Sequence, residues 1–400
     1  MVVLPWNGPA AAGTDTFPDS IDIPYLGHAV TALFLYGSLR YDPLLEVVLG
    51  NEALPENHPA SLQDHCVYWA KDAGYPCLLP AAGLTAQGVV LPNPTEQMQA
   101  RMDFYEACFD YEVHRVTLTD GQEALIYLPP QVIEAGPQWS LADWQTVWGP
   151  ISVEAAREVM AAFGREDPKE VGKRFGVIRA RAASKLRAQS APSTNRFSTT
   201  DVTIIAQNRA YDHFFAMDDV RLTHRRFDGD VSPEIERAIF VMVDSVTVLP
   251  YDPVLDRVLL IEQFRVGPLI RGDTSPWSVE PIAGRVDAGE TPEMAAHRES
   301  LEEAGLTALE LELIGEYYPS PGAITEYLYS YIGITDLSKV TAGLGGVAAE
   351  GEDIQRHILS FDAFMERVTS GAGANGPLLL SAYWLAQNRD RLRAQAVGGA

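Results

Sequence analysis

Three glutamates set the first chemical expectation. Glu299, Glu302 and Glu303 stand at i, i+3 and i+4 within residues 284–306, so a helix crowds their carboxylates on one face. Like charges at that spacing repel, and hard oxygen ligands of this kind suit Mg²⁺ or Mn²⁺. The three carboxylates alone also read as a solvated acidic face. The segment carries its own punctuation: Thr291 as N-cap, Pro292 at the first helical position and Gly305 just past the last turn.

A longer pattern surrounds them. Gly284, Glu290, Arg298, Glu299, Ser300, Leu301, Glu302, Glu303, Ala304, Gly305 and Leu306 fall at the spacing of the Nudix hydrolase signature, which this segment resembles. Ser300 stands where that family has an apolar residue, so looser helix packing is expected there. The resemblance runs over residues 200–395 and is nearest to the bacterial ADP-ribose pyrophosphatases, through YDHFFAMDDVRLTHRRFDG, LPYDPVLDRVLLIEQFRVG, the SPG of residues 320–322 and EGEDIQRH. Pro321, sixteen residues beyond Gly305, falls at the spacing associated with ADP-ribose in this superfamily.

The resemblance implies roles residue by residue. Glu299 and Glu303, with Glu302 beside them and the backbone carbonyl of Ala283, match the metal ligands. Glu350 matches the loop glutamate that orients or deprotonates the attacking water, and Glu352 is its acidic companion. Arg237 and Arg265 match the diphosphate-binding arginines, and Phe214 or Phe215 matches the aromatic that stacks on adenine. Ala238 replaces an acidic residue of the family, so substrate contacts from that strand are less defined than the metal site. The implied reaction is Mg²⁺-dependent hydrolysis of a nucleoside diphosphate sugar, ADP-ribose giving AMP and ribose 5-phosphate, by a homodimer. Divalent ions bridging carboxylates and diphosphate would activate water and neutralise the charge that builds on the leaving oxygen.

A second site is written into the other half. Residues 29–35 read as a buried strand that runs into Tyr36, Gly37, Ser38 and Leu39 and then a helix over residues 42–49. A small-residue turn of this kind leaves backbone N–H groups free for a carboxylate or phosphate. With YPCLLPAAG, QGVVL, MDFYEACFDYEVHRV and EALIYLPP following in order, about 100 residues resemble the gamma-glutamylcyclotransferase-like, or AIG2-like, family. There the turn holds the glutamyl end of the substrate, and Glu106 takes the position of the general acid/base. One carboxylate suffices for that chemistry, because the same group removes a proton from the attacking amine and returns it to the leaving nitrogen. Burial among Phe104, Tyr105 and Phe109 would raise its pKa towards the useful range. Ala107 stands where the family usually has Gly, which bears on pocket width. The non-enzymatic alternative is a binding or dimer-contact module.

Length and composition frame both sites. Four hundred residues imply two or three cores. The expected layout is an extended arm (1–27), a gamma-glutamylcyclotransferase-like mixed α+β barrel (28–135), a helical linker (136–198) and a Nudix α/β/α sandwich with a mixed sheet (199–400). Within the linker, Ser152 and Asp167 read as caps and Gly164 as a stop, and Trp139, Trp144 and Trp148 read as core anchors. The basic stretch 169–187 reads as a solvated face. A formal charge of −24 disfavours nucleic acid and requires local arginines and cations at any anion site. Three cysteines without metal spacing point to a reducing cytoplasm, and no run is long enough to span a bilayer. Fused chains of this type carry a tellurite-resistance label. The rival to a Nudix enzyme is a cyclotransferase with a ligand-sensing Nudix module.

Overall fold

Strand Ala32–Leu35 is buried along its whole length, as its apolar run predicts. It lies antiparallel to Pro76–Leu91 and parallel to Glu123–Leu128. This is a computed structural model, and it describes residues 32–50, 54–192, 195–347, 351–371 and 375–398. The chain divides between Gln189 and Ser190 into two units.

In the N-terminal unit six strands run in the order Glu112–Thr117, Glu123–Leu128, Ala32–Leu35, Pro76–Leu91, His58–Ala70 and Ala135–Gln138. A bulge at Asp64, whose φ of 57° lies in the left-handed region, bends His58–Ala70. The Thr119 N–H donates to the Ser61 carbonyl at 2.9 Å, so the sheet curls until its first strand's end meets His58–Ala70. That curl is the expected barrel-like form. The helices over residues 141–189 belong to this unit and do not act as a linker. Helix Gly149–Ala161 packs its buried Ile151, Ala155 and Val159 on helix Asp42–Leu49. Trp144 donates its Nε1–H to the Gly74 carbonyl at 3.0 Å, and a Cβ on Gly74 would meet the Trp148 ring at 2.4 Å. An apolar helix face of this size is buried against its neighbour, here helix Asp42–Leu49, and does not stay solvated as a spacer. Asp167 caps helix Pro168–Lys173 as expected, whereas Ser152 lies inside Gly149–Ala161. The basic stretch also turns partly inward: Arg181, only 6% exposed, pairs with Glu158.

In the C-terminal unit one sheet runs Glu310–Tyr317, Leu328–Ile334, Ser245–Asp252, Arg257–Phe264, Ile354–Ser360 and Gly343–Gly345. Trp277–Glu280 and Ile282–Arg285 branch from its centre. Ser245–Asp252 and Leu328–Ile334 are parallel and the remaining pairs antiparallel, which makes the sheet mixed. The period of two along Ser245–Asp252 sends Val246 and Val248 to one face, under helix Pro292–Ala304. It sends Leu249 and Tyr251 to the other, under Phe361–Thr369 and Gly376–Gly398. The result is the expected α/β/α sandwich. A separate three-stranded sheet holds Val202–Asp212, Ala216–His224 and Ile235–Val241. No helix among the described residues is long and apolar enough to cross a membrane.

Candidate active sites

The glutamate helix spans Pro292–Ala304. The Thr291 hydroxyl accepts from the Met294 N–H, and Gly305 takes the left-handed conformation with φ 71°. Ser300 does not loosen the packing: it is fully buried and its hydroxyl donates to the Ala296 carbonyl at 2.7 Å. This back-bond satisfies the polar atom inside the helix, and Ala295, Ala296 and Ala304 complete the face that meets the sheet.

The carboxylates meet strand Ile282–Arg285. Glu303, 2% exposed, accepts from the Ala283 N–H at 3.1 Å. Glu299 lies so close to Gly284 that a Cβ there would stand 1.9 Å from its carboxyl carbon. Burial pushes Glu299 up to about 7, with the charges of Glu302 and Glu352 adding to it and Arg298 opposing. Burial also pushes Glu303 well up, followed by the charge of Glu299, against the Ala283 N–H and Arg265. Glu302 meets Glu299 at a shared guanidinium. Its carboxylate accepts from Arg298 at 3.1 Å, and the same guanidinium bonds Glu299, Glu290 and the Arg285 carbonyl.

Among the described residues no three His, Cys, Asp or Glu are already gathered for a metal. The pair Glu299 and Glu303 nevertheless fits a hard divalent cation, because burial destabilises each carboxylate, the charges of Glu302 and Glu352 add to this at Glu299 and that of Glu299 adds to it at Glu303, and a cation relieves these penalties. Gly284→Ala tests this arrangement. The new methyl would collide with the Glu299 carboxyl group and its Cγ and force that side chain aside, so we expect hydrolysis to fall at least roughly tenfold, as for supports of metal sites, with the fold retained.

Around the pair, Arg265 donates to Glu280 at 2.8 Å, and its charge reaches both Glu303 and Glu326. Strand Gly343–Gly345 packs on the helix end, where a Cβ on Gly345 would lie 2.1 Å from the Glu303 carbonyl. Arg356 donates to the Ala304 carbonyl at 2.9 Å. The Val347 N–H bonds Glu352 at 3.0 Å. Glu350 lies outside the described residues.

The N-terminal unit holds a cavity of about 120 Å³. The turn Tyr36, Gly37, Ser38, Leu39 lines it together with Glu106, from the last turn of helix Glu96–Ala107. Glu106 is half-buried, and the surrounding aromatic rings desolvate it, which with the charge of Asp103 pushes its carboxyl up to about 8. Asp103 itself accepts from the Tyr127 hydroxyl at 2.6 Å. Tyr36 donates to the Tyr127 carbonyl at 3.1 Å, and Tyr111 also hydrogen-bonds it. Tyr105 and Phe109 border Glu106 as expected. Phe104 does not line the cavity; its ring packs edge-on against Phe163.

Comparison with known proteins finds a family match in each half. The family described as NUDIX domain matches residues 241–375, and that described as gamma-glutamyl cyclotransferase, AIG2-like matches residues 33–146. An ADP-ribose pyrophosphatase of Escherichia coli is 35% identical over 208 residues, covering 52% of this chain and 98% of the relative. The chain belongs to the Nudix family. An ADP-ribose pyrophosphatase of Haemophilus influenzae is 34% identical over 199 residues, 49% of this chain and 91% of the relative. A GDP-mannose pyrophosphatase of Escherichia coli is 32% identical over 183 residues, 46% and 93% respectively. A solved structure titled as an ADP compounds hydrolase aligns at TM-score 0.36 and 21% identity over 50% of this chain and 100% of that one.

Within the Nudix unit the expected substrate residues separate. Phe214 lies under the Arg285 guanidinium at 4.9 Å, beside the glutamate helix, whereas Phe215 packs inward on Phe240 at 5.0 Å. Arg237 is exposed on Ile235–Val241 and donates to the Glu236 carbonyl, and no contact among the described residues joins it to the carboxylates. Three participants had no role in the sequence reading. Arg298 was visible in the signature but looked like spacing; Glu280 and Arg285 carry no motif, and only strand pairing brings them to the site.

Proposed function

We propose that the Nudix unit hydrolyses ADP-ribose to AMP and ribose 5-phosphate with Mg²⁺, Mn²⁺ being the natural substitute. The observation that carries this is the buried Glu299 and Glu303 pair facing Ala283 and Gly284, with Arg265 close enough for its charge to reach Glu303. When bound, the cation supplies charge neutralisation and an activated water. The chain's own residues do the rest. Arg265 offers a guanidinium to the diphosphate once released from Glu280, Phe214 offers a ring face to the base, and Glu352 and Glu350 supply carboxylates at the loop. The residue roles follow the resemblance, and the choice of adenine follows it together with the names of the ADP-ribose pyrophosphatase relatives. A panel of ADP-ribose, GDP-mannose, UDP-glucose and ADP-glucose tests that choice: ADP-ribose should have the highest kcat/KM, and preference for a non-adenine substrate would overturn it.

The exposed Ile204, Ile205 and Tyr211 on the three-stranded sheet support a homodimer, measurable by light scattering. The three free, buried cysteines support a cytoplasmic setting. For the N-terminal unit we propose gamma-glutamyl cyclotransfer. The substrate's α-amine attacks its own γ-carbonyl carbon, the γ-amide C–N bond breaks, and Glu106 carries the proton from the amine to the leaving nitrogen. The products are 5-oxoproline and the released amine, and no water is consumed.

A further inference from the structure

One turn before Glu106, helix Glu96–Ala107 carries a second carboxylate, Asp103. The two stand at i and i+3 and share one face of the helix. Hydrogen bonds fix Asp103 from two sides. Its Oδ1 accepts from the Tyr127 hydroxyl at 2.6 Å and from Gln99 Nε2 at 2.8 Å, and Gln99 also donates to the Tyr127 hydroxyl at 2.8 Å. We propose that Asp103 is a positioning residue for Glu106: braced by Tyr127 and Gln99, it keeps a fixed negative charge one helical turn away and so sets how readily that carboxyl takes the amine proton and gives it back. The proposal rests on the cyclotransferase reading and deepens it.

The brace is part of the site's frame. Tyr127 lines the cavity from strand Glu123–Leu128, and its carbonyl accepts at 3.1 Å from Tyr36, which follows the parallel neighbour Ala32–Leu35. Tyr127 therefore links the small-residue turn to the helix that carries Glu106, and Asp103 is where that link ends. Its charge is also the one that acts on Glu106. Tyr36, Tyr105, Tyr111, Tyr127 and the Cys108 thiol lie within reach of the Glu106 charge, but burial pushes each of them up, so they are neutral where Glu106 titrates. Arg179, also on the cavity wall, acts on Tyr75 and Tyr105, whereas burial and Asp103 are what push Glu106 up. A like charge one turn away disfavours ionisation, so Asp103 makes Glu106 a stronger base, as a group that takes a proton from an amine requires.

Asp103→Asn in the full chain isolates the charge, because the amide Oδ1 still accepts both hydrogen bonds. The rising limb of 5-oxoproline release from gamma-glutamyl-alanine should move down by roughly half a pH unit to one unit, so that turnover at pH 6 rises about threefold to tenfold with KM unchanged. Urea unfolding across pH 4 to 9 reads the same shift without turnover. The pH at which the N-terminal unit stops losing stability should fall by the same amount, and in a Glu106→Gln background Asp103→Asn should produce no such shift. An unmoved levelling-off in the unfolding series, a fall in rate that is uniform across pH, or loss of folding at every pH would overturn the role and make Asp103 a structural residue. Absence of 5-oxoproline release by the unaltered chain retires the cyclotransferase reading by itself, and the unfolding series then decides for or against the action of Asp103 on Glu106.

Discussion

Glu303→Gln is expected to reduce diphosphate hydrolysis by at least roughly 10²–10³-fold, the scale of losing one electrostatic group at a reacting centre. The substitution keeps shape and the hydrogen bond from Ala283, because the amide oxygen still accepts, but removes the charge that a cation requires. Folding should not suffer. The Glu303 carboxyl is pushed above its ordinary value by burial and by Glu299. Its native form therefore holds a proton that the unfolded chain gives up, and stability falls as pH rises into that range. Without metal at pH 7 to 8, the variant should melt at the same temperature as the parent or higher. Hydrolysis lost together with folding would instead make Glu303 a structural residue. Release of 5-oxoproline should be unchanged, since it belongs to the other unit.

Glu106→Gln should abolish 5-oxoproline release and alter the response of the N-terminal unit to pH. The native carboxyl titrates near 8, against an ordinary value of 4.5. Between those values the folded state binds more protons than the unfolded state, so stability is fully present below about 4.5, declines as pH rises and levels off above about 8. The slope is roughly 1.4 kcal/mol per pH unit in the middle of the window. Urea unfolding across pH 4 to 9 reads this directly: the parent should lose stability along that slope, and the glutamine variant should lose markedly less. Activity runs the other way. Accepting the amine proton needs the carboxylate, so parental turnover should rise with pH towards and through about 8. A rate that is flat from pH 6 to 9 would argue against Glu106 as the base.

Local signals in the chain were reliable where the physics is local. Thr291, Pro292 and Gly305 bound the glutamate helix because capping depends on a few neighbouring residues, and the small-residue turn after Leu35 is equally self-contained. What escaped was set by tertiary packing. Residues 136–198 read as a helical linker because their helices precede a polar, proline-containing break, yet Trp144 and Trp148 dock them on Gly74 and make them a wall of the first site. Ser300 looked like a packing defect because a polar residue on a buried face is costly unless paired, and its partner is a backbone carbonyl one turn back. Glu302 looked equivalent to Glu299 and Glu303 by spacing, but it shares Arg298 with Glu299 while Glu303 turns to Ala283. Arg179 was one cation in a basic stretch, and nothing in its spacing distinguishes it, stacked over Trp148, from Arg181, which pairs with Glu158.

The most direct measurement is turnover of ADP-ribose by the full chain, with and without Mg²⁺, alongside Glu303→Gln. Equal amounts of AMP and ribose 5-phosphate should form only when Mg²⁺ is present and only with Glu303 intact. Mg²⁺-independent turnover, equal turnover by the variant, or no AMP at any metal concentration would contradict a glutamate-pair metal site at Ala283 and Gly284.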